Sequence, residues 1–316
     1  MLHSYPSNAN GKRLSEGCRW VDLVDPDDRE IALVRERFGV TPQTLDELER
    51  IEATSRLRSE GDTLRMSAPL ISGTETDRWA LAPVGFILTP EVCISVRFVE
   101  LRAFDDVSKE LGSNADIAPA EVLTRLLEEI VDRAADHLGQ ASGVVDDTSQ
   151  SVFFDEPKRA QLSKDTALLR DAMRKIGQVS ERTSRVRYTF LSIGRIASFV
   201  MDRCTPKIEP DIRERLEAVR HDIASLDEFE ASLSGRVQLL QDAATGFINI
   251  EQNDVVKVLT VVSVVGVPPV LVVGIYGMNF KNMPELNWYY GYPFALALCL
   301  ITTILPLLWF KWRDWI

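Results

Sequence analysis

The sequence holds little that would serve covalent chemistry. Three histidines and four cysteines are spread through 316 residues. Cys18, Cys93, Cys204 and Cys299 make no Cys-x-x-Cys pair, so neither a disulfide framework nor a zinc site is expected. His3, His137 and His221 lie far apart, the last two among charged helical residues, and are expected at the surface. No Gly-rich phosphate loop opens a helix, and neither Gly-x-Ser-x-Gly nor His-Glu-x-x-His occurs. An enzyme is therefore not expected. Excess positive charge is missing too: the formal net charge of −11 argues against a nucleic-acid partner, because phosphate contacts need a basic surface. Residues 1–17 are polar and lack the apolar stretch of a secretory signal, so a flexible tail rather than a cleaved leader is expected.

Charge is absent altogether from two runs near the C-terminus, residues 258–275 and 293–310. Each is long enough to cross a hydrocarbon core of ~30 Å as a helix. The expected spans are 258–278 and 292–310, joined by a loop over 279–291 and followed by a tail, 311–316. Lys257 precedes the first span, Lys311 and Arg313 follow the second, and the loop sets only Lys281 against Glu285. Lys and Arg near span ends favour the cytoplasmic side, so both termini are expected in the cytoplasm of a multi-pass inner-membrane protein. Trp288, Tyr289, Tyr290 and Tyr292 at one boundary, and Trp309, Trp312 and Trp315 at the other, match rings at headgroup depth. The negative charge then belongs to the soluble part. There it serves either plain solvation or attraction of hard divalent cations, which prefer carboxylate oxygens.

In the soluble part, Arg19-Trp20-Val21-Asp22-Leu23-Val24 reads as a strand ending at Asp25-Pro26. Asp27 and the acidic turn after it open a helix through Phe38, and Thr41-Pro42 a second. Residues 63–71, 79–89 and 92–98 are β-rich, predicting a mixed sheet within an α/β domain over 18–118. After Pro119 apolar positions recur three or four apart, giving a helical hairpin over 119–205 with its turn at Asp155-Glu156-Pro157. Asp211 is expected to cap a stalk helix, 211–257. Stepping alternately four and three residues from Ile212 to Asp254 meets an apolar side chain at ten of thirteen positions. Such a period demands helix packing along a seam, between copies or within one chain against the preceding hairpin. No proline interrupts the pattern before Pro268, so the stalk is expected to run unbroken into the first span.

Two spans cannot enclose a pore. Conduction would need several copies around an axis, with the stalk-connected helix inside, and symmetry would turn each pore-facing residue into a ring. That helix has no charge, although an intramembrane charge is the usual mark of an ion path. A filter would therefore use neutral oxygens. Asn279, at the outer end of the span, offers a carbonyl dipole and two donors. A ring of carboxamides can hold hydrated Mg²⁺ without stripping water that the ion gives up reluctantly. Gly277 allows close backbone approach, and Met278 can pack between neighbours.

Gly277-Met278-Asn279, followed by Met283-Pro284-Glu285-Leu286, Gly291-Tyr292-Pro293, a second span and a short basic-aromatic tail, resembles the CorA family of magnesium and cobalt transporters. Asn253-Asp254-Val255-Val256-Lys257-Val258-Leu259-Thr260 resembles that family's entry to the first span, and Trp20 to Pro26 its first strand. The resemblance implies a funnel-shaped homopentamer, an N-terminal cytosolic α/β domain and a long stalk helix continuing into a two-helix transmembrane hairpin. It further implies that Gly277, Met278 and Asn279 form the selectivity filter, with Asn279 as an outer-shell ligand of hydrated Mg²⁺. Asn253, Val256, Leu259 and Gly274 would line the pore, Val256 and Leu259 forming a hydrophobic gate, with Asp242 near the inner mouth. Mg²⁺ would be both cargo and regulator, with Co²⁺ and Ni²⁺ as further cargo. The partners would be the lipid bilayer and other copies of the chain. Lys281, the doubled Pro268-Pro269 and the sparse basic tail depart from the family pattern, and no motif marks the sensing carboxylates. Two other readings remain open: a zinc transporter of the same superfamily, and a non-conducting, membrane-anchored coiled-coil scaffold.

Overall fold

A computed structural model describes residues 1–5, 14, 17–49, 56–73, 79–111, 117–153, 162–279, 283–313 and 315. They form two compact units. The first contains residues 1–155 and 172–241.

Its centre is a six-stranded sheet in the order β1-β2-β6-β5-β4-β3. The strands are β1 (Leu2–Tyr5), β2 (Trp20–Val24), β3 (Leu57–Glu60), β4 (Thr63–Ser72), β5 (Ala80–Leu88) and β6 (Cys93–Arg97). Only β2 and β6 run parallel, with Trp20 opposite Cys93 and Asp22 opposite Ser95. Alternation along the strands sends Val21, Leu23, Ile94 and Val96 to one face, where they pack with Val34 of α1 (Asp28–Phe38). Helix α1 starts in a capping box between Asp27 and Glu30 and stops at Gly39, whose φ of 67° suits a residue without Cβ. The other face carries Trp20, Met66, Val84 and Phe86 into a larger core shared with helices.

Three expectations need correction here. Leu2–Tyr5 is no tail but a strand, antiparallel to β2. The second helix, α2 (Leu45–Leu48), begins at a Thr44 cap with Glu47 closing a capping box, not at Thr41-Pro42. His137 is half-buried rather than exposed, edge-on to Trp79 at 4.6 Å between ring centroids. Burial, then the neighbouring Arg182 guanidinium, lowers its pKa to about 4, so the ring is neutral at physiological pH.

The helices follow as α3 (Arg102–Leu111), α4 (Pro119–Phe153), α5 (Leu162–Arg203) and α6 (Pro210–Tyr276). The expected turn at Asp155-Glu156-Pro157 lies outside the described residues. Helix α6 starts at Pro210, so Asp211 sits in its first turn, not at its cap. It continues for 67 residues through Pro268 and Pro269. In the first unit its seam is buried inside one chain: Ile212, Leu216, Val219, Leu233, Val237 and Leu240 join the core that contains Leu126, Ile193 and Val200. Arg215 donates to both carboxylate oxygens of Glu128 on α4, and Arg236 pairs with Asp146. Thr189 on α5 accepts from the Ile71 amide and donates to the Pro69 carbonyl, tying that helix to β4. Up to Leu240 the seam therefore packs within one chain, whereas Phe247 further along it is exposed.

Candidate functional site

The second unit contains residues 242–316 together with 156–171. Its elements are the first turns of α5, the C-terminal part of α6, a 3-10 turn at Pro284–Asn287 and α7 (Gly291–Trp312). Both helices are long and apolar enough to cross a membrane, and those apolar segments are almost wholly exposed in the single chain. Val258, Leu259, Val262, Val267, Val270 and Leu271 stand out from α6, and Leu300, Leu305 and Leu308 from α7. An apolar surface this continuous is stable against lipid or further copies of the chain, not against water. Several polar groups within the segments find partners there, as hydrocarbon requires. The Thr302 and Thr303 hydroxyls donate to carbonyls one turn back, and Cys299 Sγ donates to the Pro269 carbonyl of the other span at 3.9 Å.

The residues expected to line a pore fall on one side of α6. At ~100° per residue, Asp242, Asn253, Val256, Leu259 and Gly274 occupy an arc of about 120°. All five are exposed. Helix α6 ends at Tyr276, and Gly277 and Met278 finish its last turn by donating to the carbonyls of Val273 (2.9 Å) and Ile275 (3.2 Å). A Cβ on Gly277 would lie 3.1 Å from the Val273 oxygen, tighter than ordinary contact, which explains glycine at this position. Asn279 follows directly, exposed at the helix end. From Val258 to Asn279 no charged side chain intervenes. Glu285 lies in the 3-10 turn. Lys281 lies outside the described residues. The aromatic anchors are exposed at both ends of α7: Trp288 packs near Tyr290 and Phe294, while Arg313 covers Trp309 at 5.6 Å.

Comparison with known proteins decides the family. The sequence profile described as "CorA-like Mg2+ transporter protein" matches residues 15–312. The chain belongs to this family. It is similar to the magnesium transport protein CorA of Pasteurella multocida (strain Pm70), with 32% identity over 306 residues that cover 94% of this chain and 92% of that protein. The Escherichia coli (strain K12) protein of the same name is 31% identical over the same coverage. In fold the chain is similar to the complete structure of the CorA magnesium transporter from Methanocaldococcus jannaschii, with a TM-score of 0.74 at 18% identity, covering 96% of this chain and 94% of that one. The α/β sheet domain, the long helix and the apolar C-terminal helix are thus those of the CorA fold. This CorA-family chain is a membrane transporter of divalent metal, not an enzyme.

Sequence reasoning did not find the polar network inside the first unit. Asp22 accepts from Arg97 Nη2 (2.9 Å), Arg97 Nε (3.1 Å) and Ser95 Oγ (2.6 Å), and Ser95 accepts from the Trp20 indole. The signal was present in Trp20-Val21-Asp22, an acid inside a buried strand, but its cation is 75 residues away. Cys93 beside it is inert: burial, then the Asp22 charge, raises its thiol pKa far above the ordinary range.

Proposed function

We propose that this chain forms a homopentameric Mg²⁺ channel of the inner membrane, with both termini in the cytoplasm. The observation that carries the reading is the exposed face of α6. Asn253, Val256, Leu259 and Gly274 share one side of a helix that carries no charge from Val258 onward and delivers Gly277-Met278-Asn279 to its end. Copies arranged about an axis turn Asn279 into a ring of carboxamides that hydrogen-bonds the water shell of Mg²⁺. Selection then acts on the size and outer-shell contacts of the hydrated ion, which costs far less than dehydration. Val256 and Leu259 form two apolar rings below, closed to ions when dewetted. Asp242, the carboxylate nearest the expected span on this face, concentrates cations at the inner mouth. Co²⁺ and Ni²⁺, hydrated ions of similar charge, are the expected competitors.

Regulation by cytoplasmic Mg²⁺ fits the acidic soluble part. Ions held between protomers offset the repulsion of like charges, and their loss favours separation and opening.

The test is Mg²⁺ influx into proteoliposomes. Asn279→Ala should abolish uptake while the oligomer, followed by native mass spectrometry, stays intact. Wild-type flux from that variant would overturn the filter assignment. Adding Zn²⁺, Co²⁺ and Ni²⁺ in turn ranks the cargo. A stronger block by Zn²⁺ than by Co²⁺ or Ni²⁺ favours zinc transport, and absence of any flux favours a scaffold.

A further inference from the structure

Two flanks of the soluble unit carry opposite charge at the same level of α6. On the α5 side, a groove of about 700 Å³ is lined by Arg187, Leu191 and Arg195 of α5 and by Arg220 of α6. The three α5 residues are spaced four apart and so form one stripe. Asp227 answers Arg187 at 3.3 Å. Arg195 and Arg220 are exposed and, among the described residues, neither has an ion partner. Leu191, in the lining of the same groove, is 50% exposed.

On the α4 side the sign reverses. Asp222 is two residues from Arg220, roughly 200° around the helix, and so looks out over the opposite flank. There it faces Asp132 of α4, with Glu128 and Asp136 close by. Arg215 occupies Glu128, whereas Asp132 and Asp222 are exposed without an ion partner among the described residues. Partial burial, then the charges of Asp222, Glu128 and Asp136, raises the Asp132 pKa, and Arg133 offsets part of the rise. Phe229 lies two turns beyond Asp222 on the same side and is 44% exposed.

We infer that the arginine groove of one protomer receives the Asp132-Asp222-Phe229 flank of its neighbour. This rests on the ring proposed above, with the ring axis along α6. A closed ring of more than two subunits is built from heterologous contacts, in which one surface meets a different surface of the next copy. The two surfaces must therefore be complementary, must lie on opposite flanks and must sit at the same height. Arg195 and Arg220 against Asp132 and Asp222 supply the charge, and Leu191 against Phe229 an apolar centre. Exposed ion pairs add little affinity, but they set register and exclude like-on-like docking.

The test uses the full-length chain with Cys204→Ser and Cys299→Ser, the two remaining native cysteines being buried. A short bis-maleimide is applied to variants carrying Leu191→Cys, Phe229→Cys or both. The double variant should give a ladder of covalent multimers on a denaturing gel, and each single variant none. Dimers from a single variant, or no ladder from a chain that native mass spectrometry shows to be oligomeric, would overturn the pairing. A monomeric wild type in the same measurement would instead remove the ring itself, and the pairing with it. Charge reversal gives a second readout in the double-cysteine chain. R220E alone or D222R alone should lower the ladder yield about fivefold, and the two together should restore it. A yield unchanged or raised by D222R alone would show that this flank does not meet arginine.

Discussion

Arg97 is held in an interior from which water is excluded, and Asp22 is the one fully buried carboxylate that answers it. Their side chains are 5% and 3% exposed. The parallel register of β2 and β6 puts Asp22 opposite Ser95 and within two residues of Arg97, so the pair is a product of strand pairing rather than of sequence proximity. Arg97 also reaches the Val99 carbonyl and Asp105 on α3, which links the sheet to the helical layer. Removing one member of a buried pair leaves the other charged and desolvated. Asp22→Ala should therefore destabilise the chain by about 3–5 kcal/mol, toward the lower end because Asp105 remains. Thermal unfolding of the detergent-solubilised chain, followed by far-ultraviolet circular dichroism, measures the loss. A change within experimental scatter would mean that the network contributes nothing to stability.

Helix α6 has two halves under different rules. From Ile212 to Leu240 its seam is buried on the rest of the chain, while from Val258 onward the apolar side chains are exposed. One polar residue interrupts the buried half: Glu230 accepts from Ser234 and lies 3.5 Å from Arg187. Leu216→Ala should cost about 2–5 kcal/mol in the same unfolding measurement, because a fully buried side chain leaves a cavity. Leu271→Ala, on the exposed half, should leave the unfolding of the soluble unit unchanged. Equal losses would contradict the division. The seam was legible in the sequence because it is encoded by residues three or four apart, the start of α1 because Asp27 and an acidic turn mark it, and the run to the span because no proline precedes Pro268. Strand β1 was not, since Leu2–Tyr5 becomes a strand only by pairing with β2 across an intervening segment. Strand β3 is short and polar, and only its pairing with β4 orders it. For the candidate site, the resemblance to the CorA family named Asn253, Val256, Leu259 and Gly274, and helical spacing then sets them within one arc. What the face looks toward is a property of several copies, which no single-chain pattern encodes.

At the scale of the whole molecule, a substitution in a ring acts once per copy at a single level of the axis. Leu259 shows what this multiplies. In one chain it is an exposed apolar side chain on α6. In the proposed ring its copies converge, and the constriction conducts only when water enters it. Leu259→Asn replaces each apolar tip by an amide that holds water in the constriction, so the closed state should leak. A barrier lowered by only ~1.4 kcal/mol raises flux tenfold. The measurement is Mg²⁺ flux into proteoliposomes with high Mg²⁺ on the cytoplasmic side, where the wild type is expected to be shut. Leu259→Met, apolar and of similar volume, should stay shut under the same conditions and so separates wetting from altered packing. If Leu259→Asn leaks no more than wild type while Asn279→Ala still abolishes uptake, the gate lies elsewhere on this face and the filter assignment stands. If neither variant alters flux, α6 does not line the path at all.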